Sequence, residues 1–432
     1  MNKILILSHN PLSTYNSMGM TLLRLFSAFP AESLCQLYIY PSLPDTARCA
    51  SYFRITDKDV LRSYVSLFQV KGHEISPAVR EPAAFERPQD EKLYRNVRNK
   101  APLRMLLRDA MWRFAHVYNR SLKQWLAAQN PTCIFVAPGS AAFFYHFALK
   151  LAKKMHIPIV TYVCDDFYFL RGEGVLGCLH QRSVRRAIEK LLKASSHMVA
   201  ISEPLASAYH EQFDVPATVI MTGTGRPIAA SVMSAKGAQS LLYAGNIRTG
   251  RNQSLAEVGK VLEQINAAHG TSFTLEIYTG EKDRRILSVF DGIPAIHINA
   301  FLTGADFEEI YRAANLHLHV ESFCARETER VKFSVSTKIA DCLGSGCCMV
   351  AYAPAEVASM QYLMEHQCAL TATSQSQLRT ALESAFFDPD AADRTAENGL
   401  RAAHAFHDCR KNSLSLVAIL EETCDKMSEV HA

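Results

Sequence analysis

One alternating pattern runs twice along this chain. Short, continuously apolar segments of strand length alternate with longer segments of helical spacing, and the alternation restarts near the middle of the chain. In the first run KILILS (Lys3–Ser8), CQLYIY, TCIFVAP, IPIVTYVCDD, HMVAIS and ATVIMTGTG read as strands. GMTLLRLFSAF (Gly19–Phe29), FFYHFALKLAKKM and EPLASAYHEQF between them read as helices. In the second run SLLYAGN (Ser240–Asn246), FTLEIYTG, AIHINAF, LHLHVE and CMVAYA are strands. SLAEVGKVLEQINAAHG, ADFEEIYRAAN and TKIADCLGSG are the intervening helices. Strands apolar on both faces must be covered on both faces, and amphipathic helices between them supply that cover, so each run predicts a parallel sheet. The expectation is an α/β protein of two doubly wound, Rossmann-like domains. The boundaries read as a first domain over 1–225, a Gly-, Ser- and Ala-rich linker over 226–239 and a second domain over 240–405. An amphipathic helix within 406–432 is expected to pack back on the first domain.

Composition excludes several alternatives. Hydrophobic residues make up 48% of the 432, enough for sizeable cores, so a disordered chain is excluded. No run approaches the ~20 apolar residues of a membrane span. The opening MNKILILSHNP lacks a small-residue cleavage site and reads as a first buried strand. Twelve cysteines without paired spacing read as reduced core residues of a cytosolic protein. A net charge of +4 does not suggest general nucleic-acid binding.

In open α/β sheets ligands sit outside the carboxyl ends of the strands. That directs attention to Ser8 and His9, Cys164 to Asp166, Gly245 to Arg251, Glu321 and the loop before Lys338. The stretch VKFSVSTKIADCLGSG groups Ser334, Ser336, Thr337 and Lys338 where a helix begins. Ser and Thr cap helices there. Hydroxyls and a cation at a helix N-terminus also make a phosphate site. In YAGNIRTGRNQSL, Gly245 at a strand end permits close backbone approach, and Arg251 can clamp phosphate. Asp165 and Asp166 at a buried strand end repel each other unless solvated or engaged. DKD (Asp57–Asp59) and DPD (Asp388–Asp390) fit a metal-binding aspartate pattern but follow no convincing strand. His317 and His319 alternate on one strand and read as core or surface strand residues, since zinc needs a third ligand and an open position.

Together, LLYAGNIRTGRNQSL, FEEIYRAANLHLHVES and STKIADCLGSGCCMVAYAPAEVASMQYL resemble the donor-binding domain of GT-B fold glycosyltransferases. The likeness is strongest to retaining, metal-independent enzymes that build bacterial cell-surface polysaccharides. It covers most of residues 157–369 in order and spacing. The resemblance implies two domains facing across a cleft and a nucleoside-diphosphate sugar as donor, with neither cofactor nor metal. It implies that Gly19 and Gly245 approach the phosphates, and that Arg251 takes the place of a family lysine on the diphosphate. Asn246 stands where the family has arginine, so Arg248 or Lys338 must supply that charge, with Ser336 and Thr337 beside Lys338. Glu321 matches a glutamate near the transferred sugar. Glu329 has the spacing of the ribose-binding glutamate, but CARETERVK reads as a charged loop, so Asp341 is the expected ribose contact. Asp165 matches a catalytic-site aspartate, and Cys164 stands where histidine is common.

From Glu91 to Lys123 there are nine Lys or Arg against two acids, and QRSVRRAIEKLLK repeats the theme. Basic amphipathic helices lie on anionic lipid or form a solvated face. The resulting expectation is a cytoplasmic glycosyltransferase, peripheral on a membrane, that moves a sugar onto a glycan or lipid-linked acceptor. A nucleotide-sugar epimerase and a non-catalytic GT-B scaffold are the rivals.

Overall fold

The computed structural model describes residues 2–65, 70–79, 101–302 and 304–431. The chain forms two compact units, Met1–Met221 with Cys409–Ala432, and Thr222–Asp408. Each unit is built on one sheet.

The strands of unit 1 are β1 (Ile4–Ser8), β2 (Leu34–Tyr38), β3 (Ser51–Arg54), β4 (His73–Ile75), β5 (Cys133–Ala137), β6 (Ile159–Val163), β7 (His197–Ala200) and β8 (Ala217–Val219). Their order is β4-β3-β2-β1-β5-β6-β7-β8. The central strand β1 pairs Ile4 with Leu34 on one side and with Cys133 on the other, both in parallel. Every residue of β1, β2, β5 and β6 is buried, which is why these strands read as largely apolar runs, with Ser8, Gln36 and Thr161 as their polar members. The edge strand β4 is antiparallel to β3, a departure from the all-parallel expectation.

Five helices of this unit matter below: α1 (Ser17–Leu25), α2 (Asp57–Ser63), α3 (Pro102–Phe114), α4 (Ala142–Met155) and α5 (Gly174–Lys193). Helix α1 stops at Leu25, four residues short of the predicted end. Phe26 is drawn into the core instead, with its ring 5.0 Å from that of Phe135. The C-terminal helix Cys409–His431 packs on α1 and β5 within unit 1, where Ser413 Oγ accepts from the Ala28 amide at 2.9 Å.

Unit 2 contains β9 (Ser240–Ala244), β10 (Thr274–Thr279), β11 (Ile296–Ala300), β12 (Leu316–Val320), β13 (Cys348–Tyr352) and β14 (Leu370–Ala372). The order β11-β10-β9-β12-β13-β14 is that of a dinucleotide-binding sheet. The direction of winding reverses between β9 and β12, which pair at Leu241–Leu316 and Leu242–His317. Helices α6 (Arg251–His269), α7 (Ala325–Val331) and α8 (Thr337–Gly344) follow β9 and β12.

The stretch 226–239, expected as a linker, is packed into unit 2. Ala229 and Met233 donate their amides to the carbonyls of Gly344 and Gly346, each at 2.8 Å, and Ala235 and Ala238 are core residues. Small side chains allow that close backbone approach, so the composition marks packing and not flexibility. Of the twelve cysteines, all free, nine are buried.

Candidate functional site

The reversal point between β9 and β12 is where a doubly wound sheet opens a crevice. The residues after these two strands meet there. Arg251, the first residue of α6, forms a two-pronged ion pair with Glu321 just after β12. Nε donates to Oε2 at 2.8 Å and Nη2 to Oε1 at 2.9 Å. Glu321 is buried, and its backbone is fixed by Ser254 Oγ on its carbonyl at 2.8 Å and by its own amide on Tyr352 O at 3.2 Å. Burial works against the Arg251 charge, but Glu321 outweighs it and holds the guanidinium pKa above its ordinary value. The pairing occupies Nε and Nη2. Nη1 lies 3.5 Å from Thr249 Oγ1, at the exposed end of the group.

Lys338, at the second position of α8, reaches back to β9. Its Nζ donates to Tyr243 Oη at 3.2 Å and lies 4.3 Å from the centre of that ring. Among the described residues it has no carboxylate partner. Gly245 has φ +141°, and a Cβ there would lie 2.7 Å from Lys338 Nζ. Only glycine therefore leaves room for the ammonium group at the strand end. Behind the site His319 is buried, and burial, Lys338 and Arg251 together push its pKa down to about 3, so it is neutral. His317 on the same strand is likewise held at about 3 by burial and by Arg226. Both are core histidines.

Of the two cations considered in place of the family arginine, the structure puts Lys338 beside Gly245. Arg248 is engaged elsewhere, with Nε 2.5 Å from Glu281 Oε2. Asn246 serves the turn, its Oδ1 accepting from the Arg248 amide at 2.8 Å. Ser336 is the residue that caps α8, yet its side chain makes no capping bond. Thr337 begins the helix, half-buried.

Asp341 faces the start of unit 2. Its Oδ1 accepts from the Gly225 amide at 2.6 Å, and its Oδ2 lies 3.8 Å from Arg226 Nη1. Arg226 in turn grips Glu308 at 2.7 Å and covers the Tyr311 ring at 4.2 Å. Glu329 is exposed on α7, so CARETERVK is a short helix and not the expected loop. The i, i+3 pair Glu327–Arg330, at 3.3 Å, supports that helix.

In unit 1, Gly19 is covered by its own chain. It lies inside α1, where a Cβ would meet the Pro11 carbonyl at 2.7 Å, so its small size admits the loop above it. Asp165 is exposed after β6, whereas Cys164 is buried and burial raises its pKa well above the thiol range. Asp166 is a structural carboxylate. It accepts from Tyr209 Oη and the Tyr168 amide at 2.8 Å each, and from the Phe169 amide at 3.1 Å. His9 lies stacked on Phe144, with ring centres 4.3 Å apart.

The DKD motif does follow a strand, β3, contrary to expectation, but its carboxylates belong to α2. Asp59 completes a capping box with Thr56, and Asp57 binds Arg108 and Trp112. In DPD, Asp388 caps the helix Pro389–Phe406. Among the described residues no group of three or more His, Cys, Asp or Glu is arranged to hold a metal ion. Tyr243 and Arg226 were not legible as site residues. Tyr243 is an aromatic in an apolar strand, and Arg226 falls in the supposed linker.

Residues 259–418 match the family described as glycosyl transferase-like. No curated protein matches the sequence. Solved structures match along nearly the whole length. Sucrose-phosphate synthase from Thermosynechococcus elongatus has a TM-score of 0.60 at 12% identity, covering 97% of this chain and 98% of that one. The α,α-trehalose 6-phosphate synthase of Burkholderia multivorans has a TM-score of 0.61 at 13% identity, covering 100% and 99%. Anabaena HepE, in complex with UDP and glucose, has a TM-score of 0.61 at 12% identity, covering 98% and 100%. The chain therefore has the GT-B glycosyltransferase fold, with a glycosyl transferase-like segment over residues 259–418.

Proposed function

We propose that this protein is a glycosyltransferase whose donor, a nucleoside-diphosphate sugar, binds unit 2 with its diphosphate at the reversal point. The observation that carries this reading is Lys338, a cation without a carboxylate partner among the described residues, seated against the positive-φ Gly245 at the start of α8. Amide groups at a helix start, a Ser336 hydroxyl that makes no capping bond and an ammonium group together suit phosphate. Arg251 presents Nη1 while Glu321 orients the rest of the group. Charge that grows on the departing diphosphate would be met by fixed positive groups that need no rearrangement. Glu321 is assigned to the transferred sugar, and Asp341, held by Arg226, to the ribose hydroxyls. Asp165 is assigned to the catalytic site on unit 1. HepE structures containing UDP-glucose support a uridine nucleotide among the donors to be tried.

The finer reading is retention at the anomeric carbon without a divalent metal, and a glycan or lipid-linked acceptor in surface polysaccharide synthesis at the cytoplasmic face of a membrane. A non-catalytic GT-B subunit is the second reading, favoured by the closed Arg251–Glu321 pair. A thermal-shift screen of nucleotide sugars on the full chain tests the first step, since binding stabilises the folded state. Stabilisation by one class of nucleotide sugar, with nucleoside diphosphate released on adding acceptor, supports the enzyme. Binding without release supports the subunit, and no stabilisation by any nucleotide sugar contradicts the enzyme.

A further inference from the structure

Unit 1 contains two adjoining cavities where α3, α4 and α5 pack together, and the donor chemistry uses neither. The first, about 510 Å³, is walled by Leu106, Trp112, Val117, Phe143 and Phe147. The second, about 450 Å³, is cationic. Arg113, Arg182, Arg186 and Lys190 line it, with Leu179 as its apolar residue and no acid. Arg113, His146, Ser183 and Lys190 border both, so one space has an apolar end and a positive end. Among the described residues none of these arginines or Lys190 has a carboxylate partner. The single acid lining the apolar cavity, Asp109, is turned to Phe143, whose amide donates to Oδ1 at 3.0 Å. Burial, Lys190 and Arg113 all hold His146 below its ordinary pKa, as unneutralised positive charge requires. The surrounding surface is apolar where a solvated helix would be polar. Phe114 is 73% and Leu107 61% exposed on α3, and Val175 is 78% exposed on α5.

We propose that this pair of cavities binds an anionic phospholipid of a bilayer, with the phosphate headgroup in the cationic cavity and the first part of a chain in the apolar one. The exposed apolar residues of α3 and α5 enter the interface around it. Charge complementarity selects an anionic headgroup. The apolar cavity and the exposed Phe114, Leu107 and Val175 select a lipid over a free phosphate, which has no use for them. The inference deepens the membrane part of the proposed function and rests on it, but is independent of the donor site. Residues 91–100 of the basic segment anticipated for membrane binding lie outside the described residues. The cavities stand without them.

The chain has two tryptophans, and Trp112 lines the apolar cavity, whereas Trp125 is buried against Ser51 with Nε1 2.7 Å from Oγ. A Trp125→Phe background therefore makes Trp112 the reporter. Vesicles of phosphatidylcholine alone, or of phosphatidylcholine and chain-brominated phosphatidylglycerol in equal parts, are titrated with the full chain. Binding and Trp112 quenching are expected only with the anionic vesicles. Two cations near such a surface contribute about 1 kcal/mol each, so Arg113→Ala/Lys190→Ala should weaken binding roughly thirtyfold. Ser183→Phe keeps every charge and adds no tryptophan but fills the shared wall, and should abolish quenching. Equal binding to both vesicle types overturns the proposal. Anionic binding with quenching that Ser183→Phe leaves intact, or without quenching at all, reduces the face to flat adsorption and also overturns it. Full displacement by millimolar inorganic phosphate would assign the site to free phosphate. Circular dichroism confirms folding, and the nucleotide thermal shift, read on the same variants, reports the donor site separately.

Discussion

Replacing Arg251 by alanine should destabilise unit 2 before it says anything about catalysis. The side chains of Arg251 and Glu321 are 18% and 6% exposed, and both oxygens of Glu321 are held by Arg251. Truncating the arginine strands a carboxylate in the interior. Breaking a buried pair in this way costs about 3–5 kcal/mol. The partial exposure of Arg251 places the expected loss near the lower bound, about 3 kcal/mol. For a unit of this size each kcal/mol moves the melting temperature by roughly 2–4 °C, so the loss should be about 6–12 °C. Glu321→Gln removes the charge, keeps the shape and leaves a guanidinium with one end toward solvent, so its cost should be smaller. The double variant should recover much of the loss, because neither charge is then left alone. Thermal and denaturant unfolding of the four proteins measures the coupling. Purely additive losses, or a shift of less than about 2 °C for Arg251→Ala, would refute the idea that this pair is closed and buried.

Gly245→Ala should cost on the order of 1–3 kcal/mol, because an L-residue is strained at φ +141° and the new methyl displaces Lys338. Nucleotide affinity should fall alongside the melting temperature. Burial raises the Asp109 pKa from 3.8 to about 6, so the folded state binds the proton more tightly than the unfolded chain does. That stability is present below about pH 4 and is lost as pH rises through about 6, by about 2–3 kcal/mol. Asp109→Asn should therefore gain on the wild type between these values in pH-dependent unfolding, and a constant difference would contradict the assignment. Transfer activity, once a donor is found, should survive EDTA, and its loss with recovery on Mg²⁺ would overturn the metal-free part of the proposal.

The strands that were legible are those buried on both faces, such as β1, β5 and β13. The β3 strand SYFR was not, since it is four residues long and ends in a charge, although Arg54 is buried and donates to Pro41 O at 3.0 Å. Helix α7 was read as a loop because four of its seven residues are charged and few are apolar, and the i, i+3 spacing of Glu327 and Arg330 is the helical signal it carries. The site was legible as a set of positions and not as a set of contacts. Glu321 and Arg251 were each picked out for lying after a strand, but they stand 70 residues apart, and no local pattern says that one neutralises the other. Likewise Lys338 was marked by its place at a helix start, while its partner Tyr243 lies 95 residues away, buried in β9 beside Leu241 and Leu242.

In the proposed function Lys338 is the cation that meets the donor diphosphate. Isothermal titration of UDP, and of whichever nucleotide sugar the thermal screen selects, into wild type and Lys338→Ala tests it directly. A charge-assisted hydrogen bond to phosphate contributes about 1.5–3 kcal/mol, so the variant should bind roughly tenfold to a hundredfold more weakly. Its melting temperature without nucleotide should stay close to wild type, because the lysine gives up a contact with Tyr243 and, among the described residues, leaves no carboxylate unpaired. Equal affinity in a well-folded Lys338→Ala would contradict the account and return the lysine to a structural contact with Tyr243.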